Sequence, residues 1–525
     1  MARSSACLSV LPFFLLATGG EPSAPVRKGL ETITAHDAKV HVDYLASEAL
    51  GGRETGERGC EAAAEYLAAQ FKHFGIEPFG DEVDGKRGYF QKYPITRSVL
   101  EKTSTLVLET AKGTKTLAIG KDFTPLAAPF AGPIPKAVEA SKVVDGGSVV
   151  VPARDPAASR PRGGGRGQGP PRLEITLPPD SEDAFVLFHV SGVTDRPSGT
   201  LTMALFRALS ESKARGAILV PSADQSADDW GNAFERSAAS ATAPRITRST
   251  GTASAPRAQA NYPYLCLKSA EMANDLVGGK ATFKADAKKE EKSAANVVGR
   301  IRGSDPKLAD EYVVYSAHYD HVGYEGGKLH PGADDNASGT AALLEIAQAY
   351  TSTEAPRRSV IVLSVSGEEK GLWGSDWFAE HPPVPREQLV ADLNTDMVGR
   401  SMFYGESKPG YMEMTPSKKS EFFNTLAAEA IDLGAQYGFP EMTNGDKYWM
   451  RSDHYNFAKH GIPAMFLCNG EHEDYHQPGD TPDKIDGDKI ARAARLCFHL
   501  GYDTASRDER PHVLGKAASA PAGGK

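Results

Sequence analysis

From residue 311 onward, short apolar runs and amphipathic segments take turns, and this alternation constrains the fold more than any other feature of the chain. EYVVYSAH (311–318) is strand-like, SGTAALLEIAQAYT (338–351) has helical spacing, and SVIVLSVS (359–366) is again a strand. A short helix near 374–380, strand LVADLNTDM (389–397), helix SKKSEFFNTLAAEAIDLG (417–434) and strand IPAMFLC (462–468) continue the pattern. Strands alternating with helices predict an α/β fold with a doubly wound, mostly parallel sheet.

The rest of the 525 residues supplies further units, since roughly 150 residues make a domain. Residues 36–59 read as one helix ending in a Gly-rich turn. Residues 60–76 place Ala63, Leu67, Phe71 and Phe74 on one stripe, with Gly75 as the stop. Segments 103–110 and 141–151 are β-like, and the Gly/Pro-rich stretch 159–172 is a surface loop. Strand 184–190, helix 201–216 and strand 217–221 follow. A second long loop is expected over 224–260, then a strand and helix over 262–278 and a charged linker at 284–292. The last 15 or so residues read as a disordered tail.

Several function classes are excluded early. Lys and Arg number 59 against 68 Asp and Glu, a net charge of −9, and no basic stripe of the kind a phosphate backbone requires is present, so nucleic acid is not a partner. Five cysteines, at 7, 60, 266, 468 and 497, include no C-x-x-C, which argues against a disulfide scaffold and a structural thiolate–zinc site. Cys468 and Cys497 are read as separate buried thiols, with pairing as the alternative in an exported chain. Arg3 followed by the apolar run 6–17 and small residues resembles a secretory signal peptide, so export is expected. That run is too short to span a bilayer, and nothing later offers ~18 uninterrupted apolar residues.

Polar residues collect just after the strands, where open α/β sheets form their sites. The first strand runs into His318, Asp320 and His321; PGADDNASG supplies Asp334, Asp335 and Asn336. The second strand ends in Glu368 and Glu369, the third in Asp396, and a late loop offers His472, Tyr475 and His476. Imidazoles and carboxylates without thiolates suit Zn²⁺ or another divalent first-row metal, and the inventory is large enough for two ions sharing a bridging carboxylate. Alone, each motif has a bland reading: a solvated Glu-Glu pair, or acidic residues at a helix N-terminus. Five groups in order, each after a strand, do not.

SAHYDHVG, GADDNASG, SGEEKGLWGS, NTDMVG, SDHYNFAKHGIPAM and YHQPGDTPDKI, in that order, resemble the co-catalytic di-zinc aminopeptidase family that includes bacterial leucyl aminopeptidases, aminopeptidase Y and glutamate carboxypeptidase II. The resemblance is dense over 295–500, extends to the helical segment 36–95, and treats the region between as an inserted protease-associated domain. With the signal peptide (1–24) and tail (509–525) read from the residues, the resemblance implies a division of the rest into helical part of the peptidase (25–100), insertion (101–288) and catalytic domain (289–508). It also implies that His318 and Asp396 bind one zinc, Glu369 and His476 the other, and Asp335 both. Asp320 would orient His318, Glu368 would be the general base that takes the proton of the attacking water, and Tyr475 would hydrogen-bond the developing oxyanion.

His321, Asp334, His454 and His472 receive no role beyond hydrogen bonding, Ser452-Asp453 reads as a helix N-cap, and Trp373 and Tyr448 are candidates for the pocket wall. The expected activity is an exported aminopeptidase with two Zn²⁺ per chain and peptide substrates. A carboxypeptidase or dipeptidase of the same family is the nearest alternative. An Arg cluster facing the metals would favour it, and Arg160, Arg162, Arg166 and Arg172 sit in the Gly/Pro-rich stretch. Glutaminyl cyclase and a non-catalytic receptor-like scaffold are further off.

Overall fold

The computed structural model describes residues 21–126, 135–152, 173–194, 199–248, 262–325 and 327–514. The apolar run at 6–17, the Gly/Pro/Arg stretch 159–172 and the tail from 515 lie outside the described residues.

A ten-stranded sheet forms the base of the molecule. Its main strands are β1 (Phe90–Leu100), β2 (Arg245–Arg248), β3 (Ala287–Ile301), β4 (Tyr312–His318), β5 (Ser359–Val365), β6 (Leu389–Thr395), β7 (Met412–Thr415), β8 (Met442–Asn444) and β9 (Ala464–Cys468), in the order β2-β1-β3-β5-β4-β6-β9-β7-β8. The central strands β5, β4, β6 and β9 are parallel; β3 and β7 join them antiparallel on either side. Every residue of β4, β5 and β6 is buried, which is why these segments read as continuous apolar runs instead of alternating ones.

Both faces of the sheet are covered, as the doubly wound expectation requires. On one face Val313, Tyr315 and Ala317 of β4 pack with helices α1 (Ala35–Leu45), α2 (Arg58–His73), α3 (Gly339–Thr351) and α5 (Gly487–Ser506). On the other, Tyr312 and Val314 pack with Phe378 of α4 (Trp373–Glu380) and with Phe457. Helix α5 lies so close to β4 that a Cβ at Gly501 would sit 1.8 Å from the Tyr315 hydroxyl, so only glycine is tolerated there. The second sheet has eight strands drawn from Thr105–Thr110 through Lys280–Lys284 and carries its own apolar clusters, one around Phe185, Leu265 and Phe283, the other around Phe188, Leu205 and Trp230.

Four local expectations are revised. The segment expected as a charged linker, 284–292, mostly belongs to β3: Ala287–Lys292 pairs with Leu100–Ile95 in a ribbon whose side chains face water, so charge there is no obstacle to a strand. Within the expected loop 224–260 the chain forms helix Ala227–Ala241 and strand β2, and residues 249–260 lie outside the described residues. The helix expected over 36–59 stops at Leu45, and in the short turn Glu48–Arg53 that follows, Gly51, Gly52 and Arg53 take left-handed backbone, with φ of 54°, 71° and 50°. The helix expected over 417–434 starts only at Thr425, where the Asn424 side chain caps the Ala427 N–H. Among the described residues no helix is long and apolar enough to cross a membrane. Cys60, Cys266, Cys468 and Cys497 are buried free thiols, in line with the unpaired reading.

Helices α1 and α3 are joined by a buried carboxyl. Glu345 Oε2 accepts the Thr34 N–H at 2.7 Å, while Oε1 has no partner and stands 3.9 Å from His41 Nε2. Burial pushes Glu345 up to about 7 and His41 down to about 4. The folded protein therefore keeps a proton that the unfolded chain releases above its ordinary value of 4.5, and stability falls as pH rises from there to about 7. Glu345→Gln should leave thermal stability near pH 4 unchanged and raise it by about 3 kcal/mol at pH 8. Melting curves across that range check the sign; a pH-independent difference refutes it.

Candidate metal centre

The parallel strands β5, β4, β6 and β9 lie side by side, so the residues just past their ends meet at one edge. His318 closes β4, Glu368 and Glu369 follow β5, Asp396 follows β6, and His476 sits in the loop after β9. Asp335 comes from the turn Ala333–Ser338 leading into α3.

Two ligand-like groups result: His318, Glu368 and Asp396; and His321, Asp335, Glu369 and His476. His318 Nε2 is 3.2 Å from Asp396 Oδ1 and 3.5 Å from Asp335 Oδ1. His476 Nε2 is 2.9 Å from Asp335 Oδ2 and 3.1 Å from Glu369 Oε2. The two oxygens of Asp335 thus face one group each. His321 Nδ1 lies 2.8 Å from Glu369 Oε1, which brings into the cluster an imidazole that sequence reasoning left without a role.

The donor set fits divalent cations. His318 Nε2, Asp396 Oδ1, Glu369 Oε1 and both ring nitrogens of His321 are buried without a hydrogen-bond partner, and buried polar atoms seldom go unsatisfied. A dication at each group would supply the positive charge that the carboxylates otherwise draw from protonated imidazoles. The electrostatics show how strong that draw is. Burial disfavours charge on both histidines, yet Asp396 and Glu368 raise His318 well above its ordinary value, and Glu369 with Asp335 raises His476 to about 11. The adjacent glutamates are driven apart: burial, together with Glu369 and Asp396, pushes Glu368 well above the usual carboxylate range, whereas His476 and His321 overcome burial to hold Glu369 well below it. Such a split makes Glu368 the stronger proton acceptor and leaves Glu369 an ionised ligand.

Surrounding groups hold the donors in place. Asn394 Nδ2 donates to Ser452 Oγ at 2.9 Å, so the Ser452 proton is directed to Asp396 Oδ2 at 2.9 Å, leaving Oδ1 for the cluster. Ser452 and Asp453 therefore do not cap the helix His454–Ala458 through their side chains, contrary to the sequence reading. The Asp480 carboxylate accepts the N–H groups of Asp334 and Asp335 at 3.0–3.1 Å. Asp334 in turn accepts from Gly399 N–H at 2.7 Å and Asn469 Nδ2 at 2.9 Å, with His472 Nε2 at 3.2 Å, which gives Asp334 and His472 structural work behind the centre. Asp320 behaves differently from expectation. Its carboxylate accepts from Thr55 Oγ1 and the Glu368 N–H and stays 3.7 Å from His318 Nδ1, while its main-chain oxygen is nearer, at 3.2 Å.

Sequence reasoning missed Arg53. Its guanidinium is fully buried and donates to the carbonyls of Tyr319, Leu45, Pro331 and Gly332 at 2.5–2.8 Å, stitching together the two loops that carry His321 and Asp335. A lone arginine far upstream carries no motif that would announce this.

Beside the centre is a pocket walled by Met397, Tyr448, Phe466 and Cys468, with Arg451, Glu471 and Tyr475 at its rim. Tyr475 stacks on the His476 ring and accepts a hydrogen bond from Arg451 at 3.2 Å. Burial, then the charges of Asp335 and Glu369, push its phenol well above 10, so it keeps its proton. Tyr448 lines this wall, whereas Trp373 packs with the Tyr93, Ile95 and Ile246 cluster away from it. His454 is buried and stacked on Phe466.

Comparison with known proteins agrees with this geometry. The sequence pattern of Peptidase family M28 matches residues 296–501. Aminopeptidase YwaD of Bacillus subtilis is 26% identical over 238 residues, 44% of this chain and 49% of that protein. A protein of Arthroderma otae named probable leucine aminopeptidase is 28% identical over 215 residues, 39% of this chain and 57% of that one. The chain thus spans about half the length of these relatives. In fold, it resembles an aminopeptidase from Aneurinibacillus sp. strain AM-1, with TM-score 0.54 and 18% identity over 94% of this chain and 98% of that one. BSAP, a zinc aminopeptidase from Bacillus subtilis, aligns with TM-score 0.52 and 18% identity over 91% and 96%. Residues 296–501, which hold all the ligand-like residues, thus match the sequence pattern of peptidase family M28.

Proposed function

We propose that this protein is an exported zinc exopeptidase that removes N-terminal residues from peptides and holds two Zn²⁺ per chain. The observation that carries the reading is Asp335, one carboxylate whose two oxygens face two separate groups of donors. His318 and Asp396 would hold one ion, Glu369 and His476 the other, with Asp335 shared. Zinc in such a pair supplies Lewis acidity, polarising the scissile carbonyl and acidifying water.

The chain's own residues do the rest. Glu368, at the pocket wall and beside His318, takes the proton of the attacking water and passes it to the leaving amine. Tyr475, kept protonated, donates from the rim toward the developing oxyanion. Asp320 holds the Glu368 main chain through its carboxylate, while its main-chain oxygen faces His318 Nδ1 at 3.2 Å. The apolar wall beside the centre receives the side chain of the residue removed. Residues 101–288 act in this reading as a protease-associated lid over the substrate path, and the apolar run 6–17 behind Arg3 supports export.

Two outcomes test it. Glu368→Ala should lower kcat by about 10²–10⁴-fold on free-amine aminoacyl-p-nitroanilides while about two zinc ions per chain remain bound, as measured by metal analysis. Activity confined to N-blocked or acidic C-terminal substrates would instead make the protein a carboxypeptidase. Removal of metal by a chelator should abolish hydrolysis, and zinc added back should restore it as the second equivalent binds. Activity that survives with no metal bound refutes the metal-dependent reading.

A further inference from the structure

The rim of the pocket carries a feature that the proposed reaction does not use. Arg451 and Glu471 both line the pocket and form an ion pair at 2.7 Å, above the apolar wall of Met397, Tyr448, Phe466 and Cys468. Neither side chain is buried, at 48% and 38% exposure, so the pair adds little to stability and either half can be replaced without unfolding the protein. Each half is also anchored independently of the other. The Arg451 guanidinium lies 5.4 Å from the centre of the Tyr448 ring and donates to the Tyr475 hydroxyl at 3.2 Å. Glu471 is pinned through its main-chain N–H, which donates to the Tyr448 hydroxyl at 3.3 Å. Lys447, the other cation near Tyr448, is already paired with Glu413 at 3.0 Å.

We propose that the Arg451–Glu471 pair determines which N-terminal side chains the pocket accepts: closed, it leaves the rim neutral and selects uncharged, apolar residues. The inference rests on the aminopeptidase reading. An acidic side chain entering the pocket meets Glu471, a basic one meets Arg451, and neither finds a free counter-charge, so each is disfavoured by desolvation. Deleting one half leaves the charge of the other uncompensated at the rim, Arg451 held there by Tyr448 and Tyr475 and Glu471 placed there by its main chain. The pocket then becomes complementary to the opposite charge.

The test is a ratio. The zinc-loaded full-length protein, Glu471→Gln and Arg451→Gln are assayed on leucyl, glutamyl and lysyl p-nitroanilides, with thermal unfolding to verify folding and Glu471→Ala as a second variant. The wild type should prefer the leucyl substrate. Glu471→Gln should raise the glutamyl-to-leucyl ratio of kcat/KM about fivefold, and Arg451→Gln should raise the lysyl-to-leucyl ratio by a similar factor, the scale of one exposed charge contact. Any general loss from disturbing Tyr475 affects all substrates and cancels in the ratio. A wild type that hydrolyses none of the three overturns the aminopeptidase reading. A wild type that is active but prefers a charged residue, or a flat ratio in either variant, overturns only the role of the pair.

Discussion

The guanidinium of Arg53 is the contact on which the centre depends most. It is fully buried and directs its hydrogen bonds to main-chain carbonyls, taking hold of the strand-end loop after β4, the turn before α3 and the end of α1 at once. Burial lowers its affinity for the proton to about 10, partly offset by the nearby charges of Asp320, Asp335 and Asp480. It is therefore still cationic at neutral pH and supplies fixed positive charge beneath a cluster of carboxylates. Its own backbone is left-handed, as are those of Leu372, Met397 and His476, all in or beside the site. Non-glycine residues adopt that conformation only where surrounding contacts impose it.

A cluster of this kind works against folding. Glu368, Glu369, Asp335 and Asp396 are drawn from three different segments into a space from which water is largely excluded, and like charges in such a place repel strongly. Nearby groups hold the cluster in place: Ser452 donates to the spare oxygen of Asp396, the His321 ring stands 2.8 Å from Glu369 Oε1, and the Asp480 carboxylate accepts the main-chain N–H groups of Asp334 and Asp335. Groups that hold a ligand in one orientation matter nearly as much as the ligand itself.

The segment from 101 to 288 is attached to this apparatus by more than its two connections. It folds around its own sheet and apolar clusters, yet β2 leaves that sheet and pairs with β1 at the edge of the other. At the end of β2, Arg248 forms a nearly buried ion pair with Asp376 of α4, which Lys459 also contacts, and its guanidinium rests 5.4 Å from the Trp377 ring centre. Helix α4 directly follows the Glu368–Glu369 loop, so the 101–288 segment braces the wall behind that loop.

By itself the sequence determined the fold class and the location of the chemistry. Runs such as YVVYSAH and SVIVLSV are apolar on both faces, which only a strand covered by helices on both sides satisfies, and the polar residues that follow them must fall at one sheet edge. Local signals were weaker where solvent decides the outcome: the charged segment 287–292 is a strand because its side chains face water, and no periodicity announces that. Tertiary structure alone decided which groups share the centre and what holds them. Arg53 lies 278 residues from Pro331, and Ser452 lies 56 from Asp396; contacts at such separation depend on how the strands are ordered across the sheet, which no local pattern encodes. The same holds for Asp320, whose carboxylate went to Thr55 and the Glu368 N–H instead of His318 because loops far apart in the chain arrive beside it.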